Sequence, residues 1–413
     1  MSDRATVRLR LAGVGGTEIG LWLMVAVALV TLTVSSLHEM DDFNNVHIAL
    51  YRFAHGFNVY QEDYSTSDPH YLYSPGATVL LSPIGFVTNY VFAHRLFSFI
   101  NALAAVAAIT MALRMAGVRG WQVPAVVLAA LTTPPFFSSI TLGNVNCLLL
   151  LALVGAFALW REDNDYPAGA VLGLIIVIKP MFAPIAVIAI AAGKWRSALS
   201  AAAVYIAAAV AGKALVPDAE AYREIVVPYV SEPRPYYNSA LRGLGADYGW
   251  HPVVTGILML IAAAAFTWAV VASYALWKKN KTDWMVVMST ATLAGVWLLS
   301  PLGQGYYSVF LLPIVLVAGR YYSPLKNGVG AFAFAGCYFP TNLGSYETNM
   351  ALATAVWFLF IVGTAISLSR FSYRRPQDAD SDEDEPFEYG LPPVKDEPRP
   401  VQYIPQQHGP YRQ

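Results

Sequence analysis

Apolar runs of about twenty residues recur along this chain from Ile19 to residue 370, most of them closed by Arg or Lys. No other feature restricts the fold as tightly. A helix needs about 20 residues to cross the hydrocarbon of a bilayer, and in lipid the backbone satisfies its polar groups only within helices or closed barrels. Runs of this length therefore point to a bundle of membrane-spanning helices. Composition agrees: of 413 residues, 56% are hydrophobic and 13% charged, against a charged share of roughly 25% in soluble domains. The net charge of -1 hides a polarised layout, with basic residues at the ends of apolar runs and acidic ones in polar loops and the tail. No concentrated basic face is present, which argues against nucleic acid as a partner.

The basic residues set the orientation. Arg4, Arg8 and Arg10 place residues 1–16 in the cytoplasm by the positive-inside bias. The first run, about 17–37, is long enough to span and lacks a small-residue cleavage site, so it is expected to be a retained anchor. A polar, aromatic-rich loop over 38–73 then lies outside. Residues 74–91 are apolar but broken by Pro75 and Pro83, and read as a short span or a re-entrant piece. The preferred register leaves them uncrossed, which puts Arg114, Arg119 and Arg161 inside. Runs near 94–115, 122–138, 142–160, 196–216, 252–277, 284–302, 306–320, 326–341 and 350–370 follow. The run 166–193 breaks at Lys179-Pro180 into two short helices that meet on the outer side. A second outer loop covers 217–251.

The expectation is an all-α integral membrane domain over 17–370, a polytopic bundle of about twelve transmembrane helices whose first outer loop carries interfacial helices. Residues 371–413, with the run DADSDEDE, are too polar to offset their chain entropy and read as a disordered acidic cytoplasmic tail. Cys147 and Cys337 lie inside apolar runs and are expected to stay unpaired.

Ionisable and amide groups at membrane depth are costly, which makes them functional candidates. In chain order they are Asp41 and Asp42; His70, Tyr71 and Tyr73; His94 and Arg95; Asn144 and Asn146; Lys179; Tyr237, Asn238 and Arg242; His251; and Gln304, Tyr306 and Tyr307. The preferred register brings all of them to the outer face. One carboxylate pair among several cations suits an anionic substrate at the lipid–water boundary, with Lys179 and Arg95 on a lipid phosphate and a carboxylate taking a proton from an attacking hydroxyl. Plainer roles compete. Asp41-Asp42 could cap the helix starting near Phe43, Lys179 could snorkel, and Asn144 and Asn146 could join helices. The tyrosines could form an interfacial belt, and His251 before Pro252 could be structural.

The membrane portion resembles the GT-C glycosyltransferases that use polyprenyl-phosphate sugars. The likeness rests on Asp42-Phe43, Gly56-Phe57-Asn58-Val59-Tyr60, Tyr71-Leu72-Tyr73-Ser74-Pro75, Gly143-Asn144-Val145-Asn146, Lys179-Pro180 and the Ser300–Tyr307 stretch. Asp-Pro-His-Tyr-Leu-Tyr at 68–73 and Gln-Gly-Tyr-Tyr at 304–307 are similar to the members that place α-(1→3) branches on cell-wall arabinan. Mannosyl-transferring relatives more often carry Trp or His at 304–307.

The resemblance implies inverting transfer of arabinofuranose from decaprenylphosphoryl-arabinofuranose to an arabinan acceptor, branching arabinogalactan and lipoarabinomannan. The site would face the periplasm from a bacterial plasma membrane. It implies Asp42 as general base, with Asp41 as alternative or partner, and Lys179, Arg95 and His70 on the donor phosphate. Tyr71, Tyr73, Asn144, Asn146, Tyr237, Asn238, Arg242, His251, Gln304, Tyr306 and Tyr307 would contact sugar or acceptor. No metal ligand is assigned; Asp41, Asp42 and Asp68 are compatible with a divalent metal, which the chemistry does not require. Two other functions compete, mannosyl transfer from the same class of donor and lipid or sugar transport. A transporter would show matching broken helices in two halves, and the break at Lys179-Pro180 has no counterpart in the second half.

Overall fold

A computed structural model of the chain describes residues 15–34, 42–66, 69–339 and 345–373. The expectations for the N-terminal arginines, for Asp41 and Asp68, and for the acidic tail lie outside the described residues. Within them, every regular element is a helix.

The first apolar run forms α1, Gly16–Val34, and the polar loop after it opens with α2, Asp42–Ala54. The Pro-broken stretch gives α3, Pro75–Leu81, with Ser74 accepting the Ala77 N–H at its start, and a 3-10 turn over Ser82–Phe86. Twelve helical residues rise only about 18 Å, short of a bilayer's roughly 30 Å core. This stretch instead packs on its neighbours: a Cβ on Gly76 would lie 2.8 Å from the Ala208 carbonyl oxygen, and one on Gly85 2.1 Å from that of Leu50. Next come α4, Tyr90–Met115, and a pair bent by 66°, α5, Gln122–Leu131, and α6, Pro134–Thr141. Thr132, Thr133 and the prolines at 134 and 135 account for the bend, since proline has no N–H to continue a helix.

The helices α7, Asn146–Arg161, and α8, Asp165–Ile178, precede the break expected at Lys179-Pro180, and α9, Ala183–Ala191, follows it. Then come α10, Trp195–Leu215; α11, Pro252–Lys279; α12, Lys281–Leu299; α13, Gly328–Tyr338; and α14, Tyr346–Ser372. Six helices are long and apolar enough to cross a membrane (α1, α4, α10, α11, α12 and α14), or seven if the bent pair is one span. This is a multi-pass helical membrane protein. Length and composition support six or seven of the roughly twelve expected crossings; the other apolar helices are shorter. Cys147 and Cys337 are buried free thiols.

Three elements run between two polar clusters. The helix α7 begins at Asn146 and ends at Arg161, while α12 begins beside Asp283 and ends at Leu299. Between them lies a 3-10 helix, Gly305–Val317, which leads from Tyr306 towards Arg320. At one end Asp283, 5% exposed, lies 3.7 Å from Arg161 Nη2 and 3.6 Å from Arg320 Nε. It also accepts hydrogen bonds from the Tyr322 hydroxyl and from Asn280. Arg161 further donates to the carbonyl of Leu316 at 3.0 Å. The other end of the same three elements opens into a cavity.

The described residues of 42–73 are packed together. The Asp218 carboxylate receives the N–H groups of both Val59 and Tyr60 at 2.8 Å, tying this stretch to the 217–251 segment. The Tyr60 and Tyr64 hydroxyls donate to the carbonyls of Tyr73 and Tyr71, each at 2.9 Å. Burial pushes the Tyr60, Tyr64 and Tyr71 phenols above their ordinary range, so they act as neutral struts.

Candidate active site

The cavity measures about 1550 Å³, above the roughly 300–1,000 Å³ of ordinary small-molecule clefts. Its lining includes polar residues, among them Asp42, Asn144, Lys179, Arg234, Gln304, Tyr306 and Tyr307, and apolar ones, among them Pro134, Phe137, Cys337, Leu352 and Val356. Such a chamber suits a molecule with a polar head and an apolar tail.

Asp42 stands in the first turn of α2, but its carboxylate is not spent on capping that helix. Oδ2 accepts hydrogen bonds from Asn144 Nδ2 at 2.8 Å and from the Tyr306 hydroxyl at 3.0 Å, partners 102 and 264 residues away. Among the described residues both bonds go to Oδ2, so Oδ1 retains its capacity to accept a proton. The placement follows from local sequence. The Phe43 N–H donates to the Leu142 carbonyl at 3.1 Å, and the Phe43 ring stands edge-on to His94 with centroids 5.0 Å apart. Gly143 has φ +62°, and a Cβ there would fall 2.5 Å from Phe43 Cβ. Only glycine meets both demands easily. The Gly143-Asn144 turn thus seats Asp42-Phe43 and delivers the Asn144 amide to the carboxylate.

Lys179 lies at the end of α8, where Pro180 stops the helix. Its ammonium donates to Asn146 Oδ1 at 2.7 Å and to Asn144 Oδ1 at 3.4 Å, and sits 4.6 Å above the centre of the Tyr307 ring. Two of its three N–H groups are thereby oriented. Asn144 binds the carboxylate through its NH2 and the ammonium through its oxygen, linking anion and cation through one side chain. Asn146 is fully buried and holds Lys179 without lining the cavity.

The remaining candidates divide. His70 lines the cavity, with Nδ1 3.4 Å from Glu62 Oε2, and Tyr73, Tyr237 and Gln304 line it as well. Tyr236 and Tyr237 carry φ values of 65° and 47°, a conformation that side-chain-bearing residues rarely adopt away from functional sites.

Tyr71 is fully buried, its hydroxyl 2.9 Å from Thr78 Oγ1, so it braces the loop behind the chamber. Asn238 is a correction to the expectation of sugar contact. It is 2% exposed, donates to the carbonyls of Arg234 and Pro301, and accepts from the N–H groups of Ala240 and Gly303. Its amide is saturated and fastens the 217–251 segment to the Ser300-Pro301 turn. Arg95 is exposed on α4 and does not line the cavity, so the phosphate role expected for it has no geometric basis. Arg242 and His251 are also absent from the wall; His251 Nδ1 accepts the Val253 N–H at 3.3 Å and starts α11. Among the described residues no three His, Cys, Asp or Glu side chains gather as a metal centre.

Sequence reasoning missed Arg234, which lines the cavity from the 217–251 segment. Its only local signal was a lone arginine between Pro233 and Pro235.

With this geometry established, comparison with known proteins becomes informative. Residues 71–301 match glycosyltransferase family 87. An α-(1→3)-arabinofuranosyltransferase of Corynebacterium glutamicum is 33% identical over 328 residues, 78% of this chain and 77% of that protein. The chain belongs to glycosyltransferase family 87. Two further relatives of this glycosyltransferase bear the same name. That of Mycolicibacterium smegmatis is 31% identical over 306 residues, covering 72% of this chain and 70% of its own. That of Mycobacterium tuberculosis is 31% identical over 298 residues, covering 70% and 67%. The family match spans Asn144, Lys179 and Arg234, while Asp42, Tyr306 and Tyr307 fall outside it.

Proposed function

We propose that this glycosyltransferase moves arabinofuranose from decaprenylphosphoryl-arabinofuranose to an arabinan chain in α-(1→3) linkage, at the outer face of a bacterial plasma membrane. The names of its relatives favour the sugar and the linkage. The observation that carries the mechanism is the Asp42–Asn144–Lys179 chain of hydrogen bonds in a chamber lined by both polar and apolar residues.

In that mechanism the acceptor 3-hydroxyl attacks the anomeric carbon of a β-linked donor. The bond from that carbon to the phosphate oxygen breaks, and the electron pair leaves with the polyprenyl phosphate. Asp42 takes the hydroxyl proton on Oδ1, while Asn144 and Tyr306 fix the carboxylate through Oδ2. Lys179 stabilises charge developing on the leaving phosphate, an effect strengthened where water is excluded. One displacement inverts the anomeric centre and gives an α-linkage. Gln304, Tyr237 and Tyr73 face the sugars, and the basic residues at the Asp283 end keep that end cytoplasmic.

The test supplies purified enzyme with a synthetic arabinan acceptor and either lipid-linked arabinose or lipid-linked mannose. The expected product carries a new 3-linked arabinose by linkage analysis. Mannose transfer alone would overturn the sugar, linear extension would overturn the branching, and arabinose transfer at full rate by Asp42→Asn would overturn the base.

A further inference from the structure

We infer that Arg234 is a second phosphate-binding cation of the donor site, lining the same cavity as Lys179 and held in place by Tyr229 as a positioning residue. This rests on the reading of the cavity as a polyprenyl-phosphate-sugar site and names a residue that reading did not include. Three part-buried cations outside the cavity are paired with carboxylates: Arg161 and Arg320 lie beside Asp283, and Lys194 lies 2.6 Å from Asp163 and 3.0 Å from Asp165. Arg234 has no carboxylate within ion-pair distance among the described residues, and neither has Lys179. Both line the same cavity.

Arg234 is nevertheless rigidly presented. Its guanidinium lies 4.2 Å from the centre of the Tyr229 ring, and Nη1 donates to the Tyr229 hydroxyl. Tyr229 is itself wedged edge-on against Tyr64 and His70, with centroids 5.2 and 5.1 Å away. The first outer loop thereby fixes a side chain of the second. Stacking on an aromatic face leaves the edge of the guanidinium fork to bind oxygen. Its Nε is buried and has no hydrogen-bond partner among the described residues. A buried, charged donor without a partner is costly, and Arg234 is part-buried and lines the cavity, so an anion with several acceptor oxygens there meets the accessible N–H groups of its guanidinium.

Lys179 stands over the Tyr307 ring, and Tyr307 lines the cavity together with both cations. Asp42, the anion in this neighbourhood, is bonded to Asn144 and Tyr306 and leaves both cations free for a ligand. An arabinan acceptor is neutral, so the donor phosphate is the one substrate group that calls for both.

The test measures binding of decaprenyl monophosphate and of decaprenol to purified enzyme in lipid nanodiscs. The ratio of the two affinities reports the phosphate alone and is insensitive to partial loss of folded protein. Wild type is expected to prefer the phosphate, and Arg234→Gln to lower that preference roughly tenfold or more. Arg234→Lys restores it only in part, because an ammonium lacks the planar fork. Tyr229→Phe, which keeps the ring and removes the hydroxyl, gives a smaller loss that appears in the donor KM and leaves kcat near wild type. An unchanged ratio in Arg234→Gln overturns the assignment, as does a loss confined to acceptor binding. If wild type shows no preference for the phosphate, the reading of the cavity itself falls, and the assignment with it.

Discussion

The two polar ends of α7, α12 and the 3-10 helix are built from similar residue types for opposite purposes. At the Asp283 end one buried carboxylate meets two arginines, a tyrosine and an asparagine. At the Asp42 end one carboxylate meets an asparagine and a tyrosine, while Lys179 and Arg234 have no ion partner among the described residues and line a chamber of about 1550 Å³. The first arrangement completes itself. The second is complete only with substrate, and so a sequence scan that counts charges alone cannot tell an anchor from a site.

This contrast is testable in order of effect. Asp42→Asn should lower transfer roughly 10²–10⁴-fold, as expected for loss of a general base, with the unfolding temperature of the purified protein nearly unmoved. Asp283→Ala should behave in reverse. Removing one partner of a buried ionic cluster costs about 3–5 kcal/mol, so the folded yield and thermal midpoint fall while the turnover of what remains folded persists. An equal drop in midpoint for both variants would erase the distinction between the two ends.

Lys179→Gln is expected to lose about 10²–10³ in turnover, comparable to losing one charge-stabilising donor, with single-turnover rates as the readout. Gly143→Ala tests how the site is seated. A side chain at φ +62° that also meets Phe43 should cost about 1–3 kcal/mol and slow transfer through the displaced Asp42. Arg95→Gln sits at the small end, with a stability change within about 0.5 kcal/mol and an unaltered donor KM. A large rise in that KM would return Arg95 to the phosphate.

Much of this was legible in sequence, for identifiable reasons. Long apolar runs announce spanning helices, and Lys179-Pro180 announces a break, because proline cannot continue a helix. Asp42, Asn144, Lys179 and Tyr306 stood out since polar groups are conspicuous against an apolar background, and the structure brings these four together. Sequence could not tell a saturated amide from an available one. Asn238 and Asn144 look alike as letters, yet one bonds four backbone groups and the other bridges a carboxylate and an ammonium. Nor could it reveal which face of α4 Arg95 occupies, or that Tyr229 would aim Arg234 from a loop with no periodicity to read.

The 3-10 helix Gly305–Val317 sets a length. Thirteen residues rising about 2.0 Å each cover roughly 26 Å, whereas the same segment wound as an α-helix would cover roughly 20 Å. With the Arg320 end tethered beside Asp283, relaxation to the shorter pitch would draw Tyr306 back by about 6 Å and out of reach of Asp42. The choice of helical pitch thus works as a gauge, setting how far Tyr306 is held from the Asp283 cluster.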